Sequence, residues 1–532
     1  MKLISLFSLL IVTNTSFSQT GNPEIDATMK FEEVFNYISS MYVDDVKHDE
    51  LTDAAIIALL EKLDPHSTYI SEEDVKDANS RIDGNFVGIG IRFQILKDTL
   101  MVVATIPGGP SEKLGLLPGD KIVTIENENV AGIGLKNGDV RDKLMGDKGT
   151  EVKIEVKRKR SPRLITFVIK RDVIPVNSVE TAYMVTETTG YIKLNSFSRS
   201  SLNEVREGIK KLTKLGMENL IFDLQGNPGG LLYSAKYLSD EFLSGEKLVV
   251  YSEGRAQPRQ DLKTEYKGLW ENGRLVVLTN EYSASASEIV SGAIQDWDRG
   301  LIIGRRTFGK GLVQRPIDLS DGAQIRLTIA RYYTPSGRFI QKPYEDKEAY
   351  SSDLADRYEN GEFMHQDSIK IVDSLLFETL IQKRAVYGGG GIMPDIFVPL
   401  DTSAITDFYS SLIRTGHLNN FALHYVNKNR EALAAGYPTF EQFKTDFKVD
   451  KKFMDLFFDY IKKEENDLEK DEQLEFNKAE YETSEELLAL RIKAVLARNL
   501  WGYSEFYQIY NATNEILQKA IEVIESEQYI IE

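Results

Sequence analysis

Residues 275–314 read LVVLTNEYSASASEIVSGAIQDWDRGLIIGRRTFGKGLVQ, and their pattern predicts a strand, a loop, a helix and a second strand. Residues 275–279 are a continuous apolar run ending in threonine, which suits a strand covered on both faces. Residues 285–297 carry apolar side chains at helical spacing, and residues 301–304 form the next strand. Lys310 follows, held between Gly309 and Gly311. Ser285 has small neighbours, Ala284 and Ala286, and a helix start favours negative charge. Both features suit a nucleophile. A lysine, with an unperturbed pKa of about 10.4, must be desolvated to act as a base at neutral pH. The apolar, glycine-flanked setting of Lys310 suits that. Spacing alone does not decide. Ser285 with Glu288 three residues on is also a capping-box pattern, and on its own the N-cap reading is the stronger.

The chain has 532 residues with 42% apolar side chains, enough for three or four domains. A net charge of −18 argues against nucleic acid as a main partner, because phosphate binding needs a basic face. With no cysteine there is no disulfide, thiol nucleophile or thiolate metal site. No HExxH and no G-x-S-x-G occurs, and the sequence implies no metal and no cofactor. None of the five histidines (His48, His66, His365, His417, His424) lies between 175 and 345, so a Ser-His-Asp site would lack its base. The one S-x-x-K match, Ser244 to Lys247, falls in a turn. At the N-terminus Lys2, an apolar run over 3–12 and Ser16-Phe17-Ser18 before Gln19 read as a signal peptide over 1–18. That run is too short to span a bilayer, and no later one is long enough. The expectation is an exported protein of the periplasm or cell envelope, with no membrane span.

Residues 24–80 carry helical spacing, and His66 reads as a loop residue. Residues 85–172 change to short strands and glycine-rich turns, with a helix expected over 139–144. The basic run Lys157-Arg158-Lys159-Arg160 reads as a solvated hairpin tip. Residues 175–400 alternate strands with helices, which predicts an α/β layer fold. Within them, Gln225-Gly226-Asn227-Pro228-Gly229-Gly230 joins a strand to a helix. Such a turn either points backbone N–H groups at an anion or is a plain βα connection. Residues 343–383 read as a polar excursion. Residues 401–532 look helical, with an acidic run over 462–486 that reads as a solvated helix or connector.

The order of turns in 85–172, with VGIGI at 87–91 and SEKLGLLPGDKIVTI at 111–125, resembles a PDZ domain in its circularly permuted bacterial form. The resemblance implies that the amides of Val87, Gly88, Ile89, Gly90 and Ile91 hold a C-terminal carboxylate while the tail adds a strand. A second resemblance covers about residues 30 to 400. Ser283 to Ile289, Gln295-Asp296, Thr307-Phe308-Gly309-Lys310-Gly311-x-x-Gln314, the Asp223 to Gly230 turn, LTIARYYTPSG at 327–337 and Gly390 to Asp395 are similar to the carboxyl-terminal processing (tail-specific) serine peptidases. That family implies a crotonase-like α/β peptidase core with an inserted PDZ domain. It also implies Ser285 as nucleophile, Lys310 as general base and Gln314 orienting the lysine. The oxyanion donors would be the backbone N–H of Ala286 and of the Gly229–Gly230 turn. Asp296 is taken as structural. Gln225 stands where the family usually has arginine, which changes how that turn is braced. On an ideal strand Lys310 and Gln314 would lie about 13 Å apart, at roughly 3.3 Å per residue, so a bend near Gly311 is expected. Substrates would be proteins recognised by their C-terminal tails, and a homodimer through the N- or C-terminal helices is compatible. A catalytically idle PDZ adaptor and a Ser-Lys amidase acting on cell-wall peptides are the alternatives.

Overall fold

The structure, a computed structural model, describes residues 23–158, 161–369, 373–466, 474–527 and 529. The expected signal peptide over 1–18, half of the basic run (Lys159, Arg160) and residues 467–473 of the acidic run lie outside the described residues. The chain forms two compact units, Met1–Leu63 and Asp64–Glu532. The first holds the helices Pro23–Met41 and His48–Glu61, whose Phe35 and His48 rings meet at 5.8 Å. An apolar stripe on them stays exposed at Phe31, Val34, Tyr37, Met41 and Leu59.

The second unit is built around a six-stranded sheet in the order Val179–Met184, Thr189–Leu194, Asn219–Asp223, Arg274–Thr279, Leu301–Gly304, Ile396–Phe397. The first pairing is antiparallel and the rest parallel. Parallel strands need both faces covered. One face packs on the helices Ser201–Lys214, Leu232–Asp240 and Ala286–Asp296 through Val205, Leu238, Ile289 and Val290. The other is covered by Glu515–Glu525, near the end of the chain, through Ile516, Leu517, Ala520 and Val523. The helical region after 401 therefore completes the cover of the six-stranded sheet, a role its sequence left open. The turns after Asp223, Thr279 and Gly304 all leave the same carboxyl-terminal edge of the sheet, where open α/β sheets place their ligands.

A five-stranded sheet lies alongside: Thr68–Ile70, Gln324–Tyr333, Leu248–Gly254 and Gln257–Lys263, with Leu312–Asp318 also pairing with Gln324–Tyr333. The region resembling a PDZ domain is a separate six-stranded sheet with its own core of Val102, Ile122, Val140, Val152 and Ile154. The chain enters and leaves it through a ribbon, Asn85–Gly88 paired antiparallel with Asp172–Pro175. Its helix is Asn137–Leu144, longer at its start than expected. The later helices gather Phe408, Phe421, Phe443, Phe457, Leu488 and Ile492 into a further core.

Two readings need correction. The polar excursion over 343–383 contains the helix Lys347–Glu359, capped by Asp346, whose carboxylate accepts from the N–H groups of Glu348 and Ala349. One of its charges turns inward: Arg357 is buried and pairs with Glu362 at 2.8 Å, which also pairs with Arg306 at 2.6 Å. A charge-rich pattern reads as solvated when its partners are distant in sequence. For the same reason Arg158 is not a free hairpin tip. It makes a two-pronged ion pair with buried Asp120, at 2.7 and 2.6 Å.

Asp296, the last residue of the helix Ala286–Asp296, ties that helix to the 336–338 segment. It pairs with Arg338, and both side chains are fully buried; its other oxygen accepts from Ser336 N–H at 2.8 Å. Removing one partner of such a pair strands a buried charge. Asp296→Ala should lower unfolding free energy by about 3–5 kcal/mol, while Asp296→Ala with Arg338→Met should lose less. Urea titration of both variants measures this, and a loss below about 1 kcal/mol in the single variant would contradict the structural role.

Candidate active site

Of the three serines in Ser283-Ala284-Ser285-Ala286-Ser287, two hydroxyls are spent holding backbone. Ser283 Oγ donates to Leu224 O at 2.8 Å and Ser287 Oγ to Asn227 O at 2.9 Å. These bonds seat the turn before the helix on the 225–230 turn. Ser285 Oγ, unlike these two, is tied to no backbone carbonyl among the described residues. The helix begins at Ala286, so Ser285 is its N-cap residue as the sequence pattern predicts, and Glu288 closes the capping box onto the Ser285 N–H at 2.8 Å. Ser285 sits at φ +55, ψ −113, a conformation costing of order 1–3 kcal/mol in a residue with a Cβ. The surrounding bonds hold it there and leave the hydroxyl projecting from the turn.

Glu288, one turn into the helix, is fully buried. One carboxylate oxygen accepts from Ser285 N–H at 2.8 Å and Lys310 N–H at 2.9 Å. The other accepts from Thr307 Oγ1 at 2.5 Å and Gly309 N–H at 2.7 Å. On the opposite side, buried Tyr332 places its hydroxyl against the carbonyls of Ser285, at 3.1 Å, and Lys310. With one proton it donates to one of them at a time. Carboxylate and phenol together tie the backbones of Ser285 and Lys310 to each other. Burial pushes Glu288 up to about 7 against four hydrogen bonds that favour the ionised form. The sequence reading gave Glu288 only as a capping residue and passed over Tyr332, although both lie inside motifs it quoted.

Lys310 is held below the usual lysine range by burial, opposed by Glu288 and Asp64 and aided by Arg326. Its ammonium makes no hydrogen bond among the described residues, and none joins it to Ser285 Oγ. Asp64 and His66 lie close enough to share its field. His66 is pulled down to about 4, first by burial and then by Lys310, and its Nε2 shares a 2.7 Å hydrogen bond with Tyr350 OH. The loop reading of His66 is right about its place and missed its neighbour. Gln314 does not reach Lys310. Gly311 N–H is fixed by Gln341 Oε1 at 2.8 Å, and the chain then runs straight into the strand Leu312–Asp318. The irregularity in that strand falls between Val313 and Gln314, beyond the expected bend. Gln314 instead donates to Thr328 Oγ1 at 3.3 Å, and Thr328 donates to Asp64 Oδ1 at 3.0 Å.

The Gly229–Gly230 turn lies against the serine. A Cβ on Gly229, at φ +97, would come within 2.8 Å of Ser285 Cβ and Ala286 N. The two glycines differ in what they offer. Gly229 N–H is spent on Asn227 Oδ1 at 2.8 Å, so it is not a free donor as expected. The N–H groups of Gly230 and Ala286 have no partner among the described residues. Gln225 leaves its N–H on Asp223 Oδ1 at 2.7 Å and receives Lys193 Nζ on its carbonyl at 2.9 Å.

In the inserted sheet, the loop Val87 to Ile91 turns its carbonyls inward. Ile89 O accepts from Ser111 Oγ at 2.6 Å and Gly90 O from Ile106 N–H at 2.9 Å. The N–H groups of Ile89 and Gly90 have no partner among the described residues. They open on a 190 Å³ groove lined by Phe86, Ile91, Phe93, Val140 and Leu144.

Residues 188–346 match the profile of peptidase family S41, residues 101–158 that of the PDZ domain, and residues 11–74 that of the N-terminal domain of the activating protease CtpB. Residues 408–502 match a family of unknown function. The carboxy-terminal processing protease CtpA of Bacillus subtilis is 33% identical over 344 residues, 64% of this chain and 72% of that protein. A probable CtpA-like serine protease of Staphylococcus epidermidis is 34% identical over 346 residues, 64% and 69% of the two chains. Among solved structures, a photosystem II D1 C-terminal processing protease is 25% identical, with 70% of this chain and 92% of that one covered and a TM-score of 0.36.

Glu288 gives the site a pH signature. Its carboxyl holds a proton up to about 7 when folded and from 4.5 downward when unfolded. The folded state thus binds the extra proton between those values, and stability from this group is present below 4.5 and lost as pH rises to about 7. Glu288→Gln should be destabilised at every pH and should lack this slope, so wild type and variant should converge as pH rises from 4.5 to about 7. Urea midpoints across that range check it; parallel curves would refute it.

Proposed function

Because the chain belongs to peptidase family S41, the carboxy-terminal processing proteases, and is a serine-type peptidase, we propose that Ser285 is its nucleophile and Lys310 its general base. Gln314 is assigned the orienting role, exercised through Thr328 and Asp64 rather than by contact. The observation that carries this reading is the double clamp. Glu288 and Tyr332 bind the backbones of Ser285 and Lys310 together, and among the described residues the hydroxyl so placed is the one of its run not tied to a backbone carbonyl.

Neutral Lys310 takes the proton of Ser285 Oγ as the oxygen attacks the scissile carbonyl. The oxyanion is met by Ala286 N–H and Gly230 N–H. Collapse breaks the C–N bond, and the lysine returns its proton to the leaving amine. Water, deprotonated by the same lysine, then releases the acyl group. Serine, lysine and backbone amides supply every step.

The substrates in this proposal are protein chains presented by their C-terminal tails. The amides of Ile89 and Gly90 would take the tail carboxylate and the apolar groove its last side chain. Cleavage would occur in a core over 175–400 with the tail-binding unit over 85–172 inserted before it. The sequence of residues 1–18 supports export to the periplasm or cell envelope. The exposed stripe on Pro23–Met41 and His48–Glu61 supports a homodimer through the N-terminal helices.

Lys310→Ala should reduce cleavage of a tailed protein by about 10²–10⁴-fold with tail affinity unchanged, and Ser285→Ala should abolish labelling by a serine-reactive phosphonate. Full turnover in either variant would sink the assignment. Since Lys310 acts unprotonated, kcat should rise with pH. Light scattering on the purified chain should give twice the chain mass, falling to one in a Phe31→Asp, Val34→Asp variant.

A further inference from the structure

Residues 408–502 match a family of unknown function; they and the short helix Tyr503–Tyr510 that follows them together touch both of the elements that tail cleavage has to bring together. We propose that the C-terminal helical unit is a mount. It holds the tail-reading strand Ile91–Ile95 in fixed register with the turn that presents Gly230. This rests on the tail-capture reading above and adds how the captured tail is aimed.

Successive side chains of a strand point to opposite faces. In Ile91–Ile95, Ile91 and Phe93 line the groove, so Arg92 and Gln94 face away from it. Both meet the helical unit. Gln94 Nε2 donates to Asn420 Oδ1, and the Arg92 guanidinium lies 5.5 Å from the centre of the Tyr503 ring. The neighbouring strand is held too, with Asn427 Nδ2 on Met101 Sδ at 3.0 Å. At the hairpin tip Lys97 pairs with Glu464 at 3.0 Å. The contacts gather on the back of the strand that an incoming tail would pair with, and the groove stays open.

The same unit reaches the catalytic sheet through one short helix, Tyr503–Tyr510. Tyr503 begins it, under Arg92. One turn on, the Tyr507 ring lies 5.7 Å from Lys193 Nζ, and Ser504 Oγ bonds Thr181 Oγ1 at 2.9 Å. Lys193 is buried and donates to Asp223 Oδ2 at 3.1 Å and to Gln225 O at 2.9 Å. The Gln225 side chain points at Asn514 Oδ1, 3.5 Å away, the cap of the helix that covers the sheet. Gln225 opens the turn that ends in Gly229 and Gly230. An eight-residue helix of about 12 Å, at 1.5 Å per residue, thus stands between the tail-reading strand and the brace of the oxyanion turn. The helical unit has its own aromatic core, so these contacts are made by a body that is rigid without them.

The test separates aiming from folding and from tail capture. Three readouts are taken on the full chain: tail-peptide affinity by fluorescence anisotropy, kcat on a tailed protein, and cleavage of a short peptide with an amidated C-terminus. Gln94→Ala with Tyr503→Ala should lower kcat on the tailed protein by about 10–100-fold, with tail affinity and amidated-peptide cleavage within twofold. Gln94→Cys with Asn420→Cys gives the converse variant. The chain has no other cysteine, so oxidation joins these two positions alone, and the oxidised form should cleave the tailed protein at the wild-type rate. The mount is overturned if the alanine pair cleaves the tailed protein normally, if all three readouts fall together, or if the oxidised tether stops cleavage. If wild type binds no tail at all, the tail-capture reading falls first and the mount with it.

Discussion

A single buried carboxylate sets the geometry of this protein. Withdrawing Glu288 from water is expensive, with an effective penalty of several kcal/mol for an ion even after relaxation, and four donors offset it. One comes from Ser285 and three from the loop Thr307 to Lys310. The site is satisfied only when the turn after Thr279 and the loop after Gly304 meet over the nucleophile helix. That in turn requires the strands Arg274–Thr279 and Leu301–Gly304 to run parallel and side by side, ending at one edge. The sheet order, the strained serine and the position of the lysine all follow from making that carboxylate tolerable.

The same edge explains the alternation of serine and alanine. Ser283 and Ser287 are tethers to Leu224 and Asn227, and the alanines leave room for the glycine turn to approach. Gly229 must lack a side chain because Ser285 and Ala286 occupy the space where a Cβ would stand. Its N–H is taken by Asn227 Oδ1, which leaves the N–H of Gly230 without a partner among the described residues. Within such a motif, chemistry belongs to the groups that the backbone has not already claimed.

The regions farthest apart in sequence turn out to be mechanically continuous. The helix Glu515–Glu525 is the second cover of the parallel sheet, and the helices before it stand behind the inserted sheet. The Gln225 position makes this concrete. Where the related peptidases usually carry arginine, this chain has a shorter amide, and Lys193 with the cap of the last long helix supplies the contacts around it.

Periodicity and motif spacing in the sequence were sufficient for the α/β layers, the inserted β-rich unit and the glycine turn at 225–230. Those features are written in local patterns of apolar residues, glycines and small side chains, which act over a few residues. Ser285 and Lys310 were singled out together only by resemblance to a family. Charge patterns misled where partners were distant: Arg158 and Glu362 look solvated in sequence and pair in space with Asp120 and Arg306, 38 and 56 positions away. The reach of Gln314 was misjudged because Gln341, from a separate strand connection, fixes Gly311. The clamp of Glu288 and Tyr332, the place of Asp64 and His66 beside Lys310, and the sheet cover supplied by Glu515–Glu525 were decided only by the tertiary structure. Each joins residues between 22 and more than 200 positions apart. Which buried donor meets which acceptor at such separations is set by how the layers close on one another, and no local pattern carries that information.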